Sequence, residues 1–70
     1  MKPDIQRHVG QRVKEIRRKK GLTQEELAAK TGIDYKYIQR IEGKTPPNLT
    51  VLTIGKLAQA FKVKPSKLFE

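Results

Sequence analysis

At 70 residues the chain has material for one core and none for a large buried active site. Sixteen Lys and Arg against seven Asp and Glu leave a formal net charge of +9, which points to a polyanionic partner, either nucleic acid or an acidic membrane surface. With no cysteine, no signal-peptide core and no apolar run near the ~20 residues that span a bilayer, the composition predicts a soluble cytoplasmic protein without disulfides or zinc-thiolate sites.

In chain order, Ile5, Val9, Val13 and Ile16 recur on one face of a helix running from about Asp4 to Lys20, which Gly21 ends. Thr23 and Glu26 form a T-x-x-E capping box, so a second helix starts at Gln24, and Gly32 closes it after about two turns. Asp34 caps a third helix that turns Tyr37, Ile38 and Ile41 inward; Gly43 with Pro46 and Pro47 stops it, and GKTPPN is a surface loop. Thr50 caps a fourth helix with Val51, Ile54, Leu57, Ala58 and Phe61 inward. Pro65 suits the first turn of a short fifth helix holding Leu68 and Phe69. There is no strand signal, repeat or interdomain linker, so the expectation is an all-α, compact five-helix fold in which residues 1–70 form one domain.

The second and third helices are shorter than the ~12 residues at which an isolated helix becomes marginal, so packing must hold them. Ala28 and Ala29 permit close approach, Gly32 a left-handed turn, and Ile33 burial just before the third helix. This is the spacing of a helix-turn-helix. With Ile38 and Ile41 inward, Tyr35, Lys36, Gln39 and Arg40 fall on the opposite face, in a composition suited to nucleic acid.

Three blocks in order, IRRKKGLTQEELAAKTGID, YIQRIEGK and IGKLAQAFKVKPSKLF, make the chain resemble the Cro/lambda-repressor-like helix-turn-helix family over essentially Ile5 to Phe69. The resemblance implies five helices, a third helix in the major groove of double-stranded DNA, and a two-fold dimer on a palindromic operator. Its base-reading positions fall on Tyr35, Lys36 and Arg40, with Gln39 beside them. Arg40 can offer two donors to guanine O6 and N7, Lys36 one or two, Gln39 a pair to adenine, and Tyr35 a contact to a thymine methyl or a phosphate. Its backbone-clamping position falls on Gln24, where the start of the second helix favours a phosphate oxygen and where nothing structural asks for an amide. Thr23, Tyr37, Lys44, Thr45 and Asn48 are further phosphate candidates, although capping alone accounts for Thr23. The family also pairs the glutamate ending the third helix with an arginine of the first, here Glu42 with Arg17.

The chain departs from the family pattern in three places. GKTPPNLT alters the spacing after Glu42, Lys64 stands where a Ser cap is usual, and every charged residue from Gly43 to Lys67 is Lys. Like charges across a two-fold axis predict a weak free homodimer that DNA strengthens, with Leu52, outside the inward stripe, as the candidate apolar dimer contact.

The leading expectation is a small sequence-specific repressor or controller in a prokaryote; the alternative is an antitoxin or adaptor using the same fold to bind a protein. No nucleophile with its base, metal cluster or phosphate-cradling glycine loop is legible, so neither an enzyme nor a cofactor, metal or small-molecule ligand is expected. His8 is alone among polar neighbours, and Arg17 to Lys20 (RRKK) fan around a helix axis, which suits solubility and diffuse phosphate attraction. Four aromatics, two of them in the core pattern, are too few for an RNA-stacking platform.

Overall fold

Each α-helix begins where a side chain takes over a backbone donor that the helix cannot satisfy itself. The computed structural model describes residues 4–70, with α1 at Ile5–Lys19, α2 at Gln24–Thr31, α3 at Tyr35–Ile41 and α4 at Val51–Phe61. Asp4 accepts from the Arg7 N–H at 3.0 Å, Asp34 from Lys36 at 2.8 Å and Thr50 from Thr53 at 3.1 Å. At α2 the box closes in both directions. The Thr23 hydroxyl accepts from the Glu26 N–H at 3.0 Å, and the Glu26 carboxylate accepts from the Thr23 N–H at 2.8 Å. That backbone donor, followed by the hydroxyl, holds the Glu26 carboxyl below its ordinary value.

Left-handed residues cap α2 and α4. Gly32 takes φ 74° and its N–H returns to the Ala28 carbonyl, closing α2 tightly enough for α3 to follow three residues later. Lys62 does the same for α4 at φ 58° despite carrying a Cβ, an uncommon conformation for lysine.

The core takes Val9, Val13 and Ile16 from α1, Leu27 from α2, Ile38 and Ile41 from α3, Ile54, Leu57, Ala58 and Phe61 from α4, and Leu68 from the C-terminal segment. Leu22, Ala28, Ile33, Tyr37, Leu49, Ala60 and Val63 pack around it, half-buried. α1 and α3 meet at Gly10: a Cβ there would lie 2.1 Å from the Ile41 carbonyl oxygen, so only glycine admits this approach.

Two expectations need correction. The segment Pro65–Phe69 is a 3₁₀ helix, so the described residues form four α-helices, not five. Lys64 supplies no capping side chain, Pro65 no N–H, and five residues suit the tighter 3₁₀ turn. Three residues assigned inward also face solvent: Ile5 is 54% exposed, Val51 89% and Phe69 48%. Each stands at an extremity of its element, past the edge of the core.

The 3₁₀ segment is fastened to α1 by Arg12, whose Nε donates to the Lys67 carbonyl at 3.2 Å, while His8 Nε2 lies 3.2 Å from the Phe69 carbonyl oxygen. Among the described residues there is no strand, and no helix is long and apolar enough to cross a membrane.

Candidate nucleic-acid interface

α3 has seven residues and cannot hold its own shape in water, so its position depends on what grips it. Ile38 and Ile41 anchor its inner face in the core. At its C-terminal end Glu42 lies under cover with Arg17 of α1. Arg17 Nε donates to Glu42 Oε2 at 2.7 Å and Nη2 to Oε1 at 2.9 Å, a bidentate fork, while Nη1 donates to the Leu22 carbonyl at 2.7 Å. The residues are only 9% and 6% exposed, so both charges are largely desolvated and each depends on the other. The bond to Glu42 raises the Arg17 pKa; burial opposes this and the Glu42 charge reinforces it. Arg17 thereby ties α1 to the end of α3 and to the turn that enters α2.

Gln24 joins the same cluster. Its Nε2 donates to Glu42 Oε1 at 3.1 Å, joining the first residue of α2 to the residue that ends α3. This amide therefore has a structural task that its surroundings in sequence do not reveal, since an acid in its place would repel Glu42.

The outer face of α3 is free. Tyr35, Lys36, Gln39 and Arg40 are exposed, and Gln39 Nε2 donates to the Tyr35 hydroxyl at 3.2 Å, one helical turn away. Lys36, Gln39, Arg40, Gly43, Lys44 and Thr45 line an open cleft of about 470 Å³ beside the helix. Five of the candidate contact residues thus share one concavity, and Gly43 is a member that no side-chain chemistry could have nominated. Thr23 and Gln24 stand at the N-terminus of α2.

Other candidates lie elsewhere. Tyr37 packs half-buried against the core, which separates it from the exposed row. Asn48 is exposed, but its side-chain oxygen accepts from the Gln6 amide of α1, so the loop is tethered toward α1. Leu52 is 69% exposed on the first turn of α4, and Val51 beside it extends the apolar surface. Among the described residues no group of three or more His, Cys, Asp or Glu is placed to hold a metal ion.

These features accord with what known proteins show. A family described as Helix-turn-helix matches residues 13–68. The uncharacterised HTH-type transcriptional regulator y4dJ of Sinorhizobium fredii (strain NBRC 101917 / NGR234) is 41% identical over 66 residues, 93% of this chain and 83% of that protein. The restriction-modification controller protein C.AhdI from Aeromonas hydrophila superposes with a TM-score of 0.85 at 39% identity, covering 91% of this chain and 96% of its own. SinR, a master regulator for biofilm formation whose structure was determined in complex with DNA, gives 0.83 at 31% identity over 89% and 98%. On the family match and the shared fold, the chain belongs to the Cro/lambda-repressor-like helix-turn-helix family.

Proposed function

We propose that this protein is a sequence-specific double-stranded-DNA-binding transcriptional regulator, acting as a small repressor or controller, with residues 1–70 working as one domain. The observation that carries the reading is the exposed row Lys36, Gln39 and Arg40 beside an open cleft, on a helix whose far end is clamped by Arg17 and Glu42. A short helix held this rigidly presents its side chains to a groove without having to order itself first.

In this reading Arg40 and Lys36 donate to guanine edges, Gln39 reads adenine, and Tyr35 meets a thymine methyl or a phosphate while bracing Gln39. Gln24 and Thr23 meet backbone phosphate at the start of α2, and Lys44 and Thr45 do so from the far side of the cleft. Tyr37 and Asn48 contribute through the Tyr37 hydroxyl and whatever donors Asn48 keeps beside Gln6.

One such helix offers three or four base-reading side chains at about 1–3 kcal/mol of discrimination each, which is thin against a genome of competing sites. Two copies on an inverted repeat, with half-site centres one helical turn or roughly 34–36 Å apart, double the readout. Val51 and Leu52 supply the apolar contact between copies. The lysines of the second half weaken the free dimer, so DNA promotes assembly.

Selection of bound duplexes from a random library tests this, followed by sedimentation with and without the recovered duplex. The expected outcome is an inverted repeat saturated by two chains, with affinity falling steeply as salt rises. Recovery of no preferred sequence would overturn specific recognition. Saturation by one chain on a site without symmetry would overturn the dimer alone.

A further inference from the structure

A second basic surface lies away from α3. Lys30, Thr31, Lys56, Gln59, Ala60 and Lys62 line a cleft of about 300 Å³ between the C-terminal part of α2 and the stretch of α4 from its middle to its end. An adjoining cleft of about 200 Å³ shares Lys30, Ala60 and Lys62 and adds Lys20 at the end of α1. Together they form a groove edged by four lysines, and no residue is common to this groove and the cleft beside α3. Along α2, Lys30 stands six residues beyond Gln24, about 9 Å at 1.5 Å per residue, so the two surfaces use opposite ends of that helix.

The simplest account of the lysines is local. Lys20 and Lys62 follow the ends of α1 and α4, and Lys30 is in the last turn of α2, where cations complement the helix dipoles. That account leaves out Lys56, which is in the middle of α4, and it does not require that four lysines edge one groove. No acid lines either cleft, and among the described residues none of the four lysines has an acidic partner within 4.0 Å. Glu26, one turn before Lys30, feels its charge, but the carboxylate is committed to Thr23.

The groove's chemistry selects its occupant. Its cations are all lysine, compact hydrated charges that meet phosphate as points and impose no fixed geometry, which suits a polyphosphate held without regard to sequence. Thr31 cannot add a donor, because its hydroxyl is turned to the Leu27 carbonyl at 2.8 Å and accepts from Ile33. α1, α2 and α4 all end beside these lysines, and the negative ends of their dipoles disfavour an anion seated deep, whereas four exposed lysines suit a rod of phosphates passing over them. We propose that the Lys20, Lys30, Lys56 and Lys62 groove holds the phosphate backbone of a second DNA duplex without regard to sequence, so that a chain bound through α3 bridges two segments of DNA. This rests on the reading that α3 holds the first duplex.

The test immobilises a duplex recovered by the selection above, loads the protein, and measures capture of a labelled duplex of unrelated sequence across a salt series. It is run with wild type and with Lys30→Gln/Lys56→Gln/Lys62→Asn, asparagine being chosen because it tolerates the left-handed backbone at 62. With capture counted per chain retained on the first duplex, the expected result is capture by wild type and at least about tenfold weaker capture by the variant, whose retention on the first duplex is no lower than that of wild type. The salt slope for the second duplex should also fall by roughly 2.7, or 0.9 for each lysine removed. Equal capture by both proteins would mean that a second recognition face in a dimer does the bridging, and would overturn the proposal. So would retention without capture, or complexes that bind polyglutamate but no second duplex. A chain not retained on the first duplex would overturn both readings together.

Discussion

Where α1 meets α3, a guanidinium, a carboxylate and an amide are drawn together under cover; α4 enters the core with Ile54, Leu57, Ala58 and Phe61 and brings no charge with it. The two regions solve different problems. An apolar face tolerates small slips, because dispersion and area burial have little directionality. A bidentate fork with a third hydrogen bond does not, since each covered charge loses its opposite charge if the partner moves. The directional chemistry therefore sits behind the helix that must present side chains in register, and the permissive chemistry sits where closing the core is sufficient.

If that contrast holds, the largest effect comes from breaking the covered pair. Glu42→Ala should destabilise by about 3–5 kcal/mol in a denaturant titration, whereas Lys67→Ala, which removes an exposed pair with Glu70 at 3.4 Å, should cost under about 1 kcal/mol. Replacing Arg17 and Glu42 together should cost less than the two singles summed. A coupling near zero would show that the fork contributes nothing directional.

Next comes the contact that brings α1 against α3. Gly10→Ala places a Cβ against the Ile41 carbonyl, an overpacking expected to cost ~3 kcal/mol, of which helix propensity returns ~1. The same substitution at Gly55 on α4, where a Cβ would meet nothing within 4 Å, should stabilise by up to ~1 kcal/mol. Thermal midpoints moving in opposite directions would sharpen the contrast between the regions; equal movement would break it.

On the proposed DNA reading, Arg40→Ala should weaken specific binding by about 1–3 kcal/mol and relax one base pair per half-site, with no change in melting temperature. Gln24→Ala should weaken all sequences alike and also lower stability, because it removes a donor from Glu42 as well as a phosphate contact. Competition binding alongside melting curves separates the two. An Arg40→Ala protein that loses specific and nonspecific affinity by the same factor would make Arg40 a phosphate ligand.

The smallest effect concerns pH. The Glu26 carboxyl titrates below its ordinary value of 4.5 in the folded chain, so its contribution is fully present above that value and is lost as pH falls through the folded pKa. Melting curves from about pH 5 to about pH 3 should show a component that Glu26→Gln removes. An unchanged pH profile in that variant would mean that the box acts by geometry alone.

Which features could be read in advance follows from how far apart their parts lie. The Thr23 and Glu26 box, the Asp34 and Thr50 caps and the turn at Gly32 involve residues within four of each other, and local spacing declares them. The exposure of Ile5, Val51 and Phe69 could not be read, because periodicity reports which face a residue occupies and not whether anything stands opposite. Lys62 in the left-handed region escaped notice because the residue type does not announce it. At the site, the exposed row on α3 followed from helix geometry once Ile38 and Ile41 were placed inward. The bond from Gln24 to Glu42 spans 18 residues and the approach at Gly10 joins residues 31 apart; neither leaves a mark in its own neighbourhood.

The fastening of residues 67–69 to α1 has a consequence for when the molecule can fold. His8 and Arg12 wait for backbone atoms 61 and 55 positions downstream, and Leu68, fully buried, joins Val9 and Val13 in the core. During synthesis at about 5–20 residues per second, α1 to α3 are made seconds before the segment that carries Leu68 into the core leaves the ribosome. For that interval the nascent chain carries an uncovered apolar stripe beside a dense positive charge, and nearby RNA is an available polyanion. The order of translation thus makes the completed α1–α3 half the part of this protein most exposed to chaperones and nucleic acid before it is finished.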